Sequence, residues 1–333
     1  MVRAVTAPRT DRDASAEPAA PPERQLARRV LMIRPAAFGP NAETAPTNAF
    51  QSTALAASPA VQERALAEFD DLVALLRAHG VEVCVVDDDP ATATPDAIFP
   101  NNWVSFHADG TVVRYPMCAP NRRLERRAEV IAEVCARLGV AALREVDLAA
   151  ELEPRERFLE GTGSLLLDRP GRVAYACLSP RTHPDALAEF GRRLGYAVHA
   201  FHAVDERGRA IYHTNVLMAL GERFCVLCTE AVRDAEERAA LVARLTAGGR
   251  ELVAIDPAQM RAFAGNLLQL ENAAGERIVV GSTRALGALS AGQRAALERH
   301  GALVAAPLET IESVGGGGVR CMLAEVFLPP AAR

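Results

Sequence analysis

The sequence predicts an α/β fold in which five ββαβ units close into a ring. Three observations predict it. The pattern strand, tight turn, strand, helix, strand recurs about every 50–60 residues, a spacing that signals a repeat architecture. Each helical stretch is followed by glycine, at Gly80, Gly139, Gly195, Gly248-Gly249 and Gly301, the residue best suited to a helix C-terminus. The first strand lacks a hairpin partner of its own, and Cys321–Phe327 at the far end of the chain can supply it. That pairing would close the ring and leave no open sheet edge.

In the first unit Val30–Arg34 reads as a strand and Pro35–Ser58 as a long loop rich in Asn, Ala, Pro and Thr. Long loops inside a folded domain are commonly lids. Val61–His79 follows as a helix with Leu66, Phe69, Leu72, Val73 and Leu76 on one face, then strand Val81–Val86. The second unit is a strand-like run Ala97–His107, a turn at Asp109-Gly110, strand Val112–Tyr115, helix Arg123–Leu138 and strand Val140–Val146. The third is Ser164–Leu167, a turn at Arg169-Pro170-Gly171, Val173–Leu178, a helix around Asp185–Leu194 and strand Ala197–Ala203. The fourth is Val216–Leu220, Phe224–Cys228, helix Asp234–Leu245 and strand Leu252–Ile255. The fifth is Leu267–Leu270, Ile278–Val280, a helix around Ala291–His300 and strand Ala302–Ala305.

Composition sets the class. Of 333 residues, 50% are hydrophobic and 24% charged, an ordinary globular balance with ample material for a core. The net charge of −5 offers no basic surface for nucleic acid or anionic membrane. No apolar run approaches the roughly 20 residues of a membrane span. Residues 1–28 are rich in Ala, Pro, Arg, Asp and Glu without periodicity, and they read as a disordered leader. They lack the apolar stretch of a secretory signal. Length alone permits one large or two medium domains, and the ring of units makes a single catalytic domain over residues 29–330 the expectation. Seven cysteines, an odd number lying mostly in apolar runs, fit free thiols in a cytoplasmic protein. Cys225 and Cys228 form a CxxC inside an apolar strand and read as core. A homodimer is compatible with the sequence, which does not set the oligomeric state.

The loops leading into the first strand of each unit carry the polar groups. At comparable places stand Asp96, Glu160, His213, Asn266 and Cys321. Taken singly, each has an ordinary reading: a turn residue, a solvated charge, a satisfied histidine, a backbone-bonding amide and a small core residue. Taken together, they would face one axis of a ring as a thiol, an imidazole and two carboxylates. Cys321 follows four consecutive glycines, Gly315–Gly318, each of which costs about 0.5–1 kcal/mol in regular structure. Such a stretch implies positive φ or a close backbone approach. Gly161-Thr162-Gly163-Ser164 lacks the third glycine of a dinucleotide fingerprint, and no P-loop or HExxH is present.

Five motifs carry a family resemblance: Arg34-Pro35 with Asn41, Glu43-Thr44 and Asn48–Gln51; Pro95–Trp103; Leu159–Ser164; Tyr212–Val216; and Gly316–Met322. Here the chain resembles the amidinotransferase, dimethylargininase and arginine deiminase superfamily, the penteins, and within it the citrulline-utilisation hydrolases. The resemblance covers about residues 30–328 and implies a five-bladed pseudo-symmetric α/β propeller. It implies Cys321 as nucleophile, His213 as general acid and base, and Glu160 and Asp96 as carboxylates that grip the substrate. Arg122 or Arg123 would hold the amino-acid end of the substrate, Arg181 would be a second such contact, and Asn102 would also face it. No metal or organic cofactor is implied, and the partner is a small amino acid. Two departures bear on the substrate. Gly163 stands where deiminases and dimethylargininases often carry Asp, and Asn102 where dimethylargininases carry a second acid. Fewer negative charges favour the neutral ureido group of citrulline over a guanidinium. The resemblance also leaves open arginine deiminase or dimethylargininase activity, amidino transfer, and a non-catalytic binding module.

Overall fold

A computed structural model describes residues 23–51 and 57–332. The repeating pattern folds into five separate three-stranded sheets, giving a mixed α/β fold. In chain order, β1 (Arg29–Arg34) and β2 (Glu82–Asp87) flank the helix Pro59–Ala78. The second unit has β3 (Val104–Phe106), β4 (Thr111–Arg114), the helix Ala128–Leu138 and β5 (Arg144–Asp147). The third has β6 (Leu166–Asp168), β7 (Val173–Cys177), the helix Pro184–Leu194 and β8 (Ala197–Phe201). The fourth has β9 (Met218–Leu220), β10 (Phe224–Cys228), the helix Ala235–Thr246 and β11 (Glu251–Ile255). The fifth has β12 (Leu268–Glu271), β13 (Arg277–Ser282), the helix Ala291–Glu298 and β14 (Ala302–Ala306), and β15 (Ala324–Glu325) comes last.

Every sheet repeats one pairing. Its middle strand runs antiparallel to a hairpin neighbour and parallel to the strand that follows the helix. In the first sheet the antiparallel neighbour is β15, with Val30 opposite Glu325 and Leu31 opposite Ala324. The first strand thus receives its partner from the far end of the chain, as expected. The helices are held by local chemistry. Ser58 accepts the Val61 amide ahead of Pro59, Asp234 accepts the Glu236 and Glu237 amides, and Ser290 with Gln293 forms a capping box. Gly139 and Gly195 end their helices in the left-handed conformation.

The apolar clusters bridge neighbouring units. One joins Leu31 and Cys84 to Phe106 and Val112, another joins Val113 and Val146 to Leu165 and Ala174. A third runs from Tyr175 through Val226 to Val279, and the last joins Val280 and Val304 of the fifth unit to Val30 and Phe69 of the first. Cys225 and Cys228 are buried in β10.

The structure departs from expectation in three places. Ala97–His107 is not one strand: Pro100–Asn102 forms a 3₁₀ turn before β3, because proline fixes φ and withholds a ladder N–H. The helix expected from Arg123 begins at Ala128, after a separate 3₁₀ turn over Pro120–Glu125. The first residues of the expected strands Ser164–Leu167, Val216–Leu220 and Cys321–Phe327 belong instead to single helical turns, Gly161–Ser164, Thr214–Leu217 and Val319–Met322. Cys321 therefore sits on a helical turn rather than at a strand start. Short apolar runs suit either period, so the pattern alone could not tell them apart.

The leader expected over 1–28 lies outside the described residues as far as residue 22. Residues 23–28 are packed. Gln25 donates to the Leu167 carbonyl and accepts the Arg169 amide, at 3.0 Å each, and Leu26 and Ala27 are buried. Among the described residues no helix is long and apolar enough to cross a membrane.

Candidate active site

The short turns that open each unit aim side chains at one place. Glu160 and His213 immediately precede their helical turns, Cys321 is the third residue of its turn, and Asn102 closes the 3₁₀ turn. Asp96, Asn102, Arg122, Arg181, His213 and Cys321 line a single narrow cavity, together with Asn48, Phe99, Tyr212 and Gly315–Gly317. Glu160 stands directly behind His213 and is fully buried. The seven residues expected from sequence are thus brought together.

Glu160 and His213 are tightly coupled. His213 Nε2 lies 2.8 Å from Glu160 Oε2, and the carboxylate fixes the tautomer with its proton on Nε2. The other carboxylate oxygen accepts the Cys118 amide at 3.0 Å. Burial works against the Glu160 charge, but Arg181 at 3.5 Å, His213 and Arg122 at 3.7 Å outweigh it and hold the carboxyl well below its ordinary range. Burial drives His213 the other way, down to about 4 despite Glu160. At neutral pH the imidazole is uncharged, with a free lone pair on Nδ1. Gly163 leaves room for that nitrogen: a Cβ there would come 2.8 Å from Nδ1 and 2.4 Å from Asn102 Nδ2. No side chain, acidic or otherwise, fits at position 163 without displacing the imidazole.

The two arginine candidates separate. Arg122 is buried in the cavity wall, donating to Asn102 Oδ1 at 2.9 Å and gripping both oxygens of Glu125 at 2.9 Å. Arg123 lies outside, donating to the Met117 and Cys118 carbonyls. Arg181 ties the long first loop to the cavity through Thr47 Oγ1 at 2.7 Å and the Thr44 carbonyl at 3.0 Å. Asp96 Oδ2 accepts from Asn41 at 2.8 Å and Thr44 at 3.2 Å. Its Oδ1 is buried without a hydrogen-bond partner among the described residues.

The glycine run forms the wall beside the sulfur. Gly316 adopts φ +68, and a Cβ on it would sit 2.6 Å from Asn48 Nδ2. A Cβ on Gly317 would sit 2.8 Å from the Phe99 ring. Asn48 donates to the Gly315 carbonyl at 3.2 Å and Tyr212 Oη to the Gly316 carbonyl at 2.7 Å. Cys321 Sγ receives the side-chain amides of Asn266 at 3.3 Å and Asn215 at 3.4 Å. Burial pushes the thiol up, and Asn266 leads the groups that oppose it.

Residues 34–328 match the family of N,N-dimethylarginine dimethylhydrolases, eukaryotic. The chain belongs to this family. Through it the chain joins the pentein superfamily, whose relatives modify arginine and guanidino groups. Solved structures carry the same fold. The apo form of ArgZ, an arginine dihydrolase from the ornithine-ammonia cycle in Cyanobacteria, superposes with a TM-score of 0.70 at 20% identity, covering 90% of this chain and 41% of that one. Its isolated N-terminal domain, bound to substrate, is covered to 99% with a TM-score of 0.69 at 20% identity over 90% of this chain. A dimethylarginine dimethylaminohydrolase adduct with S-methyl-L-thiocitrulline gives 0.61 at 14% identity, covering 90% and 99% of the two chains. This chain therefore spans about two-fifths of full-length ArgZ, matching its N-terminal part. Comparison with curated proteins gives no significant match.

Against this family background two residues escaped sequence reasoning. Glu125 is buried against Arg122, and burial raises its carboxyl to about 7 against the pull of that arginine. The i,i+3 spacing of Arg122 and Glu125 on a turn is the sequence signal that could have found it. Asn215, two residues after His213, gave no signal beyond its motif. Among the described residues no group of three or more His, Cys, Asp or Glu could hold a metal ion.

Proposed function

We propose that this chain is a cysteine-dependent hydrolase of a terminal C–N bond in an arginine-derived amino acid, with the ureido carbon of citrulline as its target. The reading takes the five sheets as blades of an α/β propeller and residues 29–330 as one catalytic domain. One observation carries it: a thiol and a neutral imidazole, backed by an ionised carboxylate, meet at one narrow cavity where positions 102 and 163 hold the uncharged residues Asn and Gly.

In this reading Arg122, Arg181 and Asn102 receive the polar groups of the amino acid. Cys321, as thiolate, attacks the ureido carbon and forms a C–S bond. Asp96 holds the planar nitrogen groups through its free oxygen, a charge-assisted contact of the stronger kind. His213 takes up the proton the thiol gives up on its free Nδ1 and passes it to the nitrogen that leaves, giving a thiocarbamoyl adduct. The same imidazole then takes a proton from water, which attacks the adduct and frees the thiol. Glu160 keeps the ring in register and balances its transient charge. Citrulline and water become ornithine, ammonia and carbon dioxide, and no oxidant or reductant is consumed.

A second reading is hydrolysis of a guanidino substrate, as an arginine deiminase, dihydrolase or dimethylargininase. The two retained carboxylates, Glu160 and Asp96, and the activities of the family and of ArgZ support it. A panel of citrulline, arginine, methylated arginines and agmatine separates the readings by product. Ornithine from citrulline is expected. Accumulation of citrulline from arginine, or release of methylamines, without turnover of citrulline would replace the first reading by the second. Ornithine release by Cys321→Ser at the native rate would defeat both, and selective labelling of Cys321 by a haloacetamidine separates either from a non-catalytic module.

A further inference from the structure

A buried thiol needs something to favour its ionised form. In a cysteine–histidine pair an imidazolium does this. Here His213 makes no hydrogen bond to the sulfur: Nε2 is bonded to Glu160, Nδ1 lies beside Gly163 with its lone pair free, and the ring is uncharged at neutral pH. The nearest cation in sequence, Arg320, is committed elsewhere, donating to the Leu323 carbonyl at 2.9 Å and to Glu325 at 2.8 Å. The described side chains that do hydrogen-bond to Sγ are two carboxamides, Asn266 and Asn215, both buried.

The orientation of Asn266 is fixed. Its Oδ1 accepts the Arg320 amide at 3.0 Å, and its Nδ2 also donates to the Asn215 carbonyl at 2.8 Å. Flipping the amide would break both contacts, so it can present only N–H to the sulfur. Asn215 rides on the same helical turn that follows His213. A sulfur surrounded by N–H donors is matched best when it carries the negative charge.

We infer that Asn266 and Asn215 set the ionisation and position of the Cys321 sulfur, using neutral N–H dipoles in place of an imidazolium. The inference rests on Cys321 being the reacting atom of the proposed hydrolase. It leaves the immediate surroundings of the sulfur without a dedicated cation, while Asp96, Arg122, Arg181, Tyr212 and His213 face it across the cavity and Glu160 stands behind them. Burial raises the thiol, and Asn266 opposes that more strongly than Arg320 does.

The test is the pH dependence of iodoacetamide alkylation at Cys321, followed by peptide mass mapping and by thiolate absorbance. Asn266→Asp and Asn215→Asp keep shape but replace an N–H donor with a carboxylate oxygen. Each is expected to raise the apparent thiol pKa by at least about one unit, slowing alkylation at neutral pH roughly tenfold. Alkylation at high pH should return to the wild-type rate. His213→Gln should leave the thiol titration near wild type. Unchanged profiles in both Asp variants, or an equal shift in His213→Gln, would overturn the inference. If an Asp variant fails to fold, Asn266→Ser or Asn215→Ser replaces it with the same expected direction. The readout needs no substrate, so failure of the wild-type chain to hydrolyse citrulline would sink the functional reading and leave this result standing.

Discussion

Glu160 Oε2 and His213 Nε2 lie 2.8 Å apart and join the third unit of the fold to the fourth. The bond ties a carboxylate to an imidazole 53 residues further along, and it determines which ring nitrogen is free. Replacing Glu160 by Gln keeps an acceptor for Nε2–H but removes the charge, leaving Arg122 and Arg181 under-compensated. The expected result is a fall in kcat on the order of 10²–10⁴-fold, measured by steady-state ornithine release. A variant as active as wild type would remove Glu160 from the mechanism.

Gly163→Ala tests the contact behind the imidazole. Its methyl would meet Asn102 Nδ2 at 2.4 Å and His213 Nδ1 at 2.8 Å. Overpacking of this kind costs about 1–3 kcal/mol. Activity should fall further than the melting temperature alone explains, because the clash falls on Nδ1 itself. Thermal melting and turnover, compared in one preparation, check this.

Stability should drop on mild acidification. Burial lowers His213 to about 4 and His107 to about 3, against about 6.5 in an unfolded chain. Between those values the unfolded state binds more protons, so stability rises with pH and is lost as pH falls from about 6.5 through the folded pKa values. For His213 alone the loss is up to about 3 kcal/mol. Denaturant titrations across that range should show it, and His213→Gln should make the profile shallower while His107 keeps part of the slope. A flat wild-type profile would show that these rings are protonated as readily folded as unfolded.

Glu23 anchors the segment ahead of β1. Its carboxylate takes Arg169 at 2.7 Å, Arg172 at 3.0 Å and Tyr196 Oη at 2.8 Å, and Arg169 is buried. Glu23→Ala strands that guanidinium, a change of about 3–5 kcal/mol for a buried pair. Urea unfolding should show the loss. Glu23→Gln, which can still accept hydrogen bonds, should lose less.

The repeat was legible because each unit ends its helix with glycine and opens its hairpin with turn residues. The loops bearing Asp96, Glu160, His213 and Cys321 were legible for the same reason: equivalent places in a repeat carry chemically unusual residues. The one-turn helices at Gly161–Ser164, Thr214–Leu217 and Val319–Met322 were not, since a run of four residues is too short to tell a turn from a strand. Glu125 and Asn215 were hidden for a different reason. What an amide or a buried acid does depends on its surroundings: Cys321 meets Asn215 only through the tertiary fold, and Glu125, though it bonds Arg122 on its own turn, is buried only when the fold covers both. The choice between Arg122 and Arg123 likewise turned on which way a 3₁₀ turn points.

The pairing of β15 with β1 bears on how the molecule assembles. Arg29 Nη2 donates to the Leu328 carbonyl across 299 residues of sequence. Contacts of such long range pay their loop-closure entropy late and slow the search for the native state. Val319–Met322, the turn that carries the sulfur, directly precedes that closing strand. Folding intermediates that have formed only the middle units would hold His213 and Glu160 together without Cys321, so reactivity should appear in a refolding experiment as the last and slowest signal.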